Sequence, residues 1–357
     1  VLALFGAGPA RGDATDWLAI WGLQDVAYHN TDSGSRLLSQ NGGDPMGAGD
    51  LRLSAAAELP AGLQVIATGR LQGTTEEDER ETDGSLEQAV LRWIAPGRAG
   101  LIVDAGKIVM PFGNFSRRYL SDVNPLIGQP DSYSVSYPVG LVVTGRVSRL
   151  DYRVAVFDEP LSNPDYVPPA DEALRPGAGL GITPLTGLRL GSYYTRGPYL
   201  GRSSQPMIPG ASSWKDFDQE VVGFELEFSR GYFELNGDIA FSSYEVPTVT
   251  GVARGQAWFV EPKYTWTPRL FTAVRVERND YPFIRGVDDT FWIAGNAAFR
   301  AAEVGGGWRF TANLLLKASY RWDNWAPNPN VELPDGRALA LQLSYGFDVS
   351  SWLRGPR

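Results

Sequence analysis

LLLKASYRWD, residues 314–323, and ALALQLSYGFD, residues 338–348, alternate apolar with polar side chains almost without error. In the first run Leu314, Leu316, Ala318, Tyr320 and Trp322 share one face, while Leu315, Lys317, Ser319, Arg321 and Asp323 share the other. In the second, Leu339, Leu341, Leu343, Tyr345 and Phe347 oppose Ala338, Ala340, Gln342, Ser344, Gly346 and Asp348. Side chains on a strand point to alternate faces, so each run makes a ribbon with one oily and one wet side. Strands of about ten residues, oily outside and charged inside, with aromatics near their ends, suit a barrel that crosses a membrane.

Composition agrees with that reading without forcing it. The chain has 357 residues, long for one soluble domain, but a single closed barrel escapes that prior. With 32 Lys+Arg against 41 Asp+Glu the net charge is -9, and no basic excess exists to neutralise the phosphates of a nucleic acid. The absence of Cys excludes a disulfide framework and a thiolate metal site. Mean hydropathy is -0.19 and no apolar run approaches the ~20 residues of a membrane helix, a test that a barrel evades because every second residue faces the lumen. Glycines, 41 of them, suit turns and curved sheets, and 11 Trp with 15 Tyr suit the membrane interface.

Reading outward for period two and for turn residues predicts strands near 17–30, 50–59, 63–73, 85–95, 101–109, 138–148, 150–159 and 177–184. They continue near 187–197, 217–229, 232–245, 253–266, 269–279, 297–309, 314–325 and 337–348, about sixteen in all, an even number as single-chain bacterial barrels have. Short links such as Pro60-Ala61-Gly62, Pro96-Gly97 and Arg230-Gly231 alternate with long ones at 31–48, 74–84, 160–176, 198–216 and 280–296. Tight periplasmic turns at one rim and long extracellular loops at the other produce that alternation. The organisation read from this is a barrel over 17–348 and a tail over 349–357. Residues 1–16 read either as the remnant of a signal peptide or as a short periplasmic extension.

A lumen of about sixteen strands is too wide for wall side chains to fill. The segment from Met110 to Pro138, broken by Pro111, Gly113, Pro125, Gly128 and Pro130, is long enough to fold inward and narrow it. DAGKIVMPFG (Asp104–Gly113) followed by NPLIGQP (Asn124–Pro130) resembles the fifth strand and following loop of general bacterial porins, especially the phosphate-selective porin O/P-like group. LALQLSYGF (Leu339–Phe347) resembles the terminal strand signal of outer-membrane barrels, although here the chain continues past Phe347. The resemblance implies an all-β, transmembrane antiparallel barrel with a constriction loop after the fifth strand. It also implies a homotrimer in the outer membrane of a diderm bacterium, in contact with lipopolysaccharide and passing small hydrophilic solutes. Leu18, Ile20, Gly22 and Val26 on the first strand supply a candidate trimer face.

The charges are read independently of that resemblance. Arg117, Arg118, Asp122 and Asp131 are the candidate constriction residues. Candidate pore-lining residues are Arg52, Arg70, Arg92, Arg146, Arg153 and Arg189 in the first half, and Glu225, Glu227, Glu234, Asp238, Glu261, Lys263, Arg275, Glu303, Arg309, Lys317 and Arg321 in the second. A basic wall opposite a mixed, more acidic one sets a transverse field across a pore. The bland alternative is that these residues form ion pairs that hold the strands in register. Arg and Lys in number, offset by so many carboxylates, do not indicate a dedicated phosphate path.

Other functions fit less well. The sole His, His29, reads as a surface residue at a rim rather than a general base, and Ser33 and Ser35 beside it are poor nucleophile candidates, so no enzyme and no cofactor are expected. The acidic run Glu76, Glu77, Asp78 and Glu79 reads as a solvated loop with no metal site. A structural barrel that sheathes or anchors an envelope protein, such as a lipoprotein or a cytochrome, is the alternative to a channel.

Overall fold

The computed structural model describes residues 17–35, 46–75, 80–97, 100–130, 135–161, 173–247, 251–280, 298–327 and 335–350. Sixteen strands follow one another along the chain: β1 (Leu18–Thr31), β2 (Met46–Leu59), β3 (Leu63–Thr75), β4 (Arg80–Ile94), β5 (Ile102–Lys107), β6 (Val139–Val147), β7 (Leu150–Phe157) and β8 (Arg175–Leu185), then β9 (Leu188–Pro198), β10 (Asp218–Arg230), β11 (Phe233–Glu245), β12 (Val252–Thr265), β13 (Leu270–Asp280), β14 (Phe299–Arg309), β15 (Leu314–Trp325) and β16 (Gly336–Asp348). Each pairs antiparallel with its neighbours in sequence, and β16 returns to β1 to close the barrel. Closure leaves no sheet edge with unpaired backbone groups, which is the condition for a sheet to sit in lipid.

The two faces segregate as the sequence pattern requires. In β16, Leu339, Leu341, Leu343 and Tyr345 are exposed while Ala338, Ala340 and Ser344 are buried. In β15, Leu316 and Trp322 are exposed while Lys317, Ser319, Arg321 and Asp323 are buried. A surface on which valine and leucine are solvent-accessible and arginine and aspartate are not is inverted relative to a soluble domain. It is what lipid outside and polar groups inside produce. Exposed aromatics gather towards the rim of short turns, where Trp17, Trp93, Tyr232, Tyr264, Trp266, Trp308 and Phe310 stand outward, and again towards the other rim at Tyr28, Tyr194, Phe241 and Trp322. Such girdles mark the two membrane interfaces. No helix among the described residues is long and apolar enough to cross a membrane.

Short turns and both ends of the sheet lie at one rim; the long connections lie at the other. Two strands begin well before the positions that the sequence pattern predicts: β2 at Met46 rather than 50, and β4 at Arg80 rather than 85. Gly47 and Gly49 read as turn residues but pair with Thr75 and Gly73 across the sheet, and Gly84 likewise pairs with Leu71. The connection after β3 is therefore 76–79, shorter than the 74–84 expected. Past β16, Ser350 Oγ accepts the Ile20 N–H (2.5 Å) and donates to the Ile20 carbonyl (3.2 Å), tying the chain back onto β1. Residues 1–16, the acidic run Glu76–Glu79, Asp131 and the tail beyond 350 lie outside the described residues.

Phe347 has a local role in this closure. It stands opposite Gly22 of β1, and a Cβ on Gly22 would lie 2.2 Å from the Phe347 ring, so the ring occupies the space that only glycine leaves free. Of the candidate trimer face, Val26 is well exposed while Gly22 is covered in this way.

Candidate functional site

The chain leaves β5 as a short ribbon, with Ile108 N–H donating to Pro138 O (2.8 Å) and Met110 N–H to Ser136 O (3.0 Å). Pro111 then removes a donor, and the segment 111–130 makes contacts all round the barrel. Phe112 packs against Phe157 of β7 and Tyr193 of β9, with ring centroids 5.8 and 5.9 Å away. Gly177 of β8 makes room for it, since a Cβ there would stand 2.4 Å from the Phe112 ring. Phe115 meets Phe259 of β12 edge-on at 6.2 Å, and both rings are fully buried. Arg52 of β2 lies over the Tyr119 ring at 5.9 Å. This single stretch of chain thus meets β2, β7, β9 and β12.

An irregular segment placed there carries backbone groups that no ladder satisfies, and these must find partners. Wall side chains supply them. Asn114 N–H donates to Asp238 Oδ2 (2.7 Å), and its amide donates to the Leu226 (3.0 Å) and Gly237 (3.3 Å) carbonyls. Arg153 donates to Pro111 O (2.7 Å) and Arg309 to Asp122 O (2.8 Å). Lys317 donates to three carbonyls at once, those of Ser121 (2.8 Å), Asn124 (3.0 Å) and Leu126 (2.9 Å). Glu303 accepts the Ile127 and Gly128 N–H groups at 3.2 and 2.9 Å, and Arg275 donates to Gly128 O (2.6 Å) and Asn124 Oδ1 (2.9 Å). Ser121 Oγ donates to Asp25 of β1 (2.7 Å).

The charged side chains form clusters rather than free rows. Glu225 receives Arg117 (2.8 Å) from the segment, Arg153 (2.8 Å) from β7 and Arg189 (2.7 Å) from β9. Arg117 also meets Glu227 (3.0 Å), and Arg189 meets Asp151 (2.6 Å). In a second cluster Glu261 pairs with Arg118 and Arg275, Arg275 approaches Glu303 at 3.5 Å, and Arg321 pairs with Glu277 (2.6 Å) and Asp323 (2.8 Å). Arg52 and Arg70 stand directly opposite each other on β2 and β3, a repulsive placement that Asp50 and Glu87 neutralise. Arg92–Asp104 (2.7 Å) and Lys263–Glu234 (2.8 Å) are separate pairs. Burial lowers the Arg118 pKa against the pull of Glu261, and it raises those of Tyr119 and Tyr137.

Exposure divides these clusters. Arg275 and Glu261 side chains are 0% exposed, beneath the segment, whereas Arg117 is 40%, Glu234 38%, Glu227 33% and Arg70 31% exposed. The half-exposed charges therefore meet solvent. Near the short-turn rim lies a cavity of about 340 Å³ lined by Thr183, Arg189, Glu227, Ser229, Glu234 and Asn236. Arg146 stands apart from these clusters: it is exposed by the β6–β7 turn, where its Nε donates to Ser148 O (3.1 Å).

Several partners of these residues were not among the candidates read from the sequence. Asp25, Asp50, Glu87, Asp104, Asp151, Glu277 and Asn124 join the clusters without having been singled out. Glu87 escapes any periodic search because it is the extra residue of a bulge: Leu86 opposes Gly69 while Gln88 opposes Thr68. His29 needs a correction. It is a buried residue of the inward face rather than a surface one, opposite Met46 and Ala340, and its Nδ1 has no partner among the described residues. Ser35 is also buried and donates to Asp323 (3.2 Å).

No protein-family model matches this chain, and no curated protein matches it in sequence. Among solved structures, the fold is similar to that of Salmonella typhi OmpF in complex with daunomycin, with a TM-score of 0.64 and 12% identity over 92% of this chain and 97% of that one. It is also similar to an anion-selective porin from Comamonas acidovorans, with a TM-score of 0.60 and 10% identity over 92% and 99% of the two chains. A third similar structure is outer-membrane expressed OmpT of Vibrio cholerae, with a TM-score of 0.57 and 10% identity over 92% and 97%. At these identities the likeness concerns the fold.

Proposed function

We propose that this chain is an outer-membrane porin that lets small hydrophilic solutes and ions diffuse passively through a charged constriction made by the segment 111–130. The observation that carries the reading is the segment itself: it is pinned by wall side chains on one side and leaves half-exposed Arg70, Arg117, Glu227 and Glu234 on the other. Water beside paired charges of both signs solvates polar solutes and excludes apolar ones. The reading assigns no enzymatic role.

Selectivity follows from compensation. Each half-exposed cation has a carboxylate within salt-bridge distance, so the passage presents dipoles rather than a ladder of free guanidinium groups. We therefore assign weak ion preference and no dedicated phosphate path. The similar fold of porins favours a homotrimer in the outer membrane of a diderm bacterium, with the outward side of β1 around Val26 as its contact surface. The test is a planar-bilayer recording of the purified protein. Stepwise ohmic currents are expected; a sheath or anchor that lacks a passage gives none.

A further inference from the structure

The cavity near the short-turn rim is built by neighbouring strands of the inner wall. Arg189 of β9 stands opposite Glu227 of β10, Glu227 opposite Asn236 of β11, and Ser229 of β10 opposite Glu234 of β11. The cation in this lining is fully committed: Arg189 Nε and Nη2 donate to Asp151 (2.9 and 2.6 Å), and Nη1 donates to Glu225 (2.7 Å) and Glu227 (3.0 Å). Gly181 leaves the room in which Arg189 and Asp151 lie against β8, since a Cβ there would collide with both. The carboxylates are only half committed. Glu227 receives Arg117 and Arg189 on Oε1 alone (both 3.0 Å), and Glu234 receives Lys263 on Oε1 alone (2.8 Å). Among the described residues the Oε2 atoms of both have no hydrogen-bond partner, and neither have the Asn236 amide and the Ser229 and Thr183 hydroxyls.

We propose that this recess is a subsite for the primary ammonium group of a small organic cation passing through the barrel. An ammonium group donates hydrogen bonds and accepts none, which matches a lining with spare carboxylate oxygens and a guanidinium already spent on its neighbours. Glu227 and Glu234 are diagonal neighbours on β10 and β11, about 7–8 Å apart along the sheet, near enough for their side chains to bring two oxygens to one ammonium. A divalent cation fits less well. Ca²⁺ takes about six to eight oxygen ligands, and the Lys263 and Arg117 charges bonded to the same carboxylates repel a double charge more strongly than a single one. A neutral polyol makes hydrogen bonds here but lacks the charge that strengthens them. The volume of about 340 Å³ lies at the lower end of small-molecule pockets, about 300–1,000 Å³, and suits an amine of a few carbons. The proposal rests on the channel reading for access of the solute and adds the class of solute that the wall retains.

The test is a ligand-observed NMR titration of the detergent-solubilised full chain. It compares butylammonium with tetramethylammonium, which carries the same charge but has no N–H, and uses xylitol as the uncharged probe and Mg²⁺ as the competitor. Butylammonium is expected to bind roughly tenfold or more tightly than tetramethylammonium, the equivalent of one charge-assisted hydrogen bond. Glu234→Gln is expected to lose that preference. Equal binding of the two cations or tighter binding of xylitol by the unaltered protein, a preference kept by the variant, or displacement of butylammonium by an equal concentration of Mg²⁺ would overturn the proposal. The comparison of the probes needs no variant, so a folding defect cannot decide the result. Binding is read without a membrane: a protein that shows the preference but passes no current refutes the channel reading alone, and one that conducts without the preference refutes the subsite alone.

Discussion

Glu261→Gln is the perturbation that most directly probes how the segment 111–130 is held. Glu261 is the carboxylate shared by Arg118, on the segment, and Arg275, on β13, and Arg275 also donates to Gly128 O and Asn124 of the segment. Glutamine keeps the volume and removes the charge, leaving two buried guanidinium groups short of a counterion. Breaking a buried pair from one side costs about 3–5 kcal/mol. Arg275 retains Glu303 at 3.5 Å, which places the expected cost near the lower end, about 3 kcal/mol. The strand ladder of the barrel does not involve Glu261's side chain, so that cost falls on the seated position of the segment. Three kcal/mol is roughly a hundredfold in population, enough to turn a fixed loop into one that visits open positions. Single-channel recording is expected to show larger and noisier current steps, and limited proteolysis to cut within 111–130 faster. Heat-modifiable gel mobility, the signature of the intact barrel, should persist. Unchanged current, noise and cleavage would refute the claim that this pair seats the segment.

Further predictions follow the same geometry. Lys317→Met removes the donor to three carbonyls at about 1–3 kcal/mol each, offset in part by the relieved burial of the ammonium, so amide exchange at 121–126 should accelerate while that of the wall does not. Arg117→Ala leaves Glu225 still held by Arg153 and Arg189 and leaves half-exposed Glu227 with Arg189 alone, so one positive charge is lost and the reversal potential should move towards cation preference. That shift should fade between 0.1 M and 1 M salt as the Debye length falls from about 10 Å to about 3 Å. Gly177→Ala drives a methyl group into Phe112 and is expected to unseat the start of the segment at a cost of about 1–3 kcal/mol, read as a lower unfolding midpoint. Tyr119 and Tyr137 have pKa values raised by burial, so the folded state holds their protons more tightly than the unfolded one. Their contribution to stability is complete below the ordinary tyrosine value of 10.0 and is lost as pH rises above it, and tyrosinate absorbance should lag behind that of a denatured sample.

The wall was legible in the sequence because a strand between lipid and water repeats one local rule, and sixteen strands emerge from that rule with ends displaced by a few residues. The larger errors fall at Gly47, Gly49 and Gly84, which resemble turn residues in one dimension but pair across the sheet in three. The segment's breakers, Pro111 and Gly113, were equally plain. Its partners were not, because Arg118 meets Glu261 and Lys317 meets Ser121 across separations in sequence that no periodicity spans. Glu87 was hidden by the bulge that turns it inward, and His29 was misjudged because its position near a rim outweighed its inward phase.

The central claim is a water-filled passage beside the segment, past Arg70 and Glu227. The chain contains no cysteine, so a single introduced thiol is a unique chemical handle. The decisive measurement is planar-bilayer current from Glu227→Cys and Arg70→Cys during addition of a charged methanethiosulfonate reagent, with outward-facing Val276→Cys as the reference. Stepwise changes of current at the first two positions and none at the third are predicted. Channels that conduct but ignore modification at both lumen positions, or a protein that passes no current, would contradict the account.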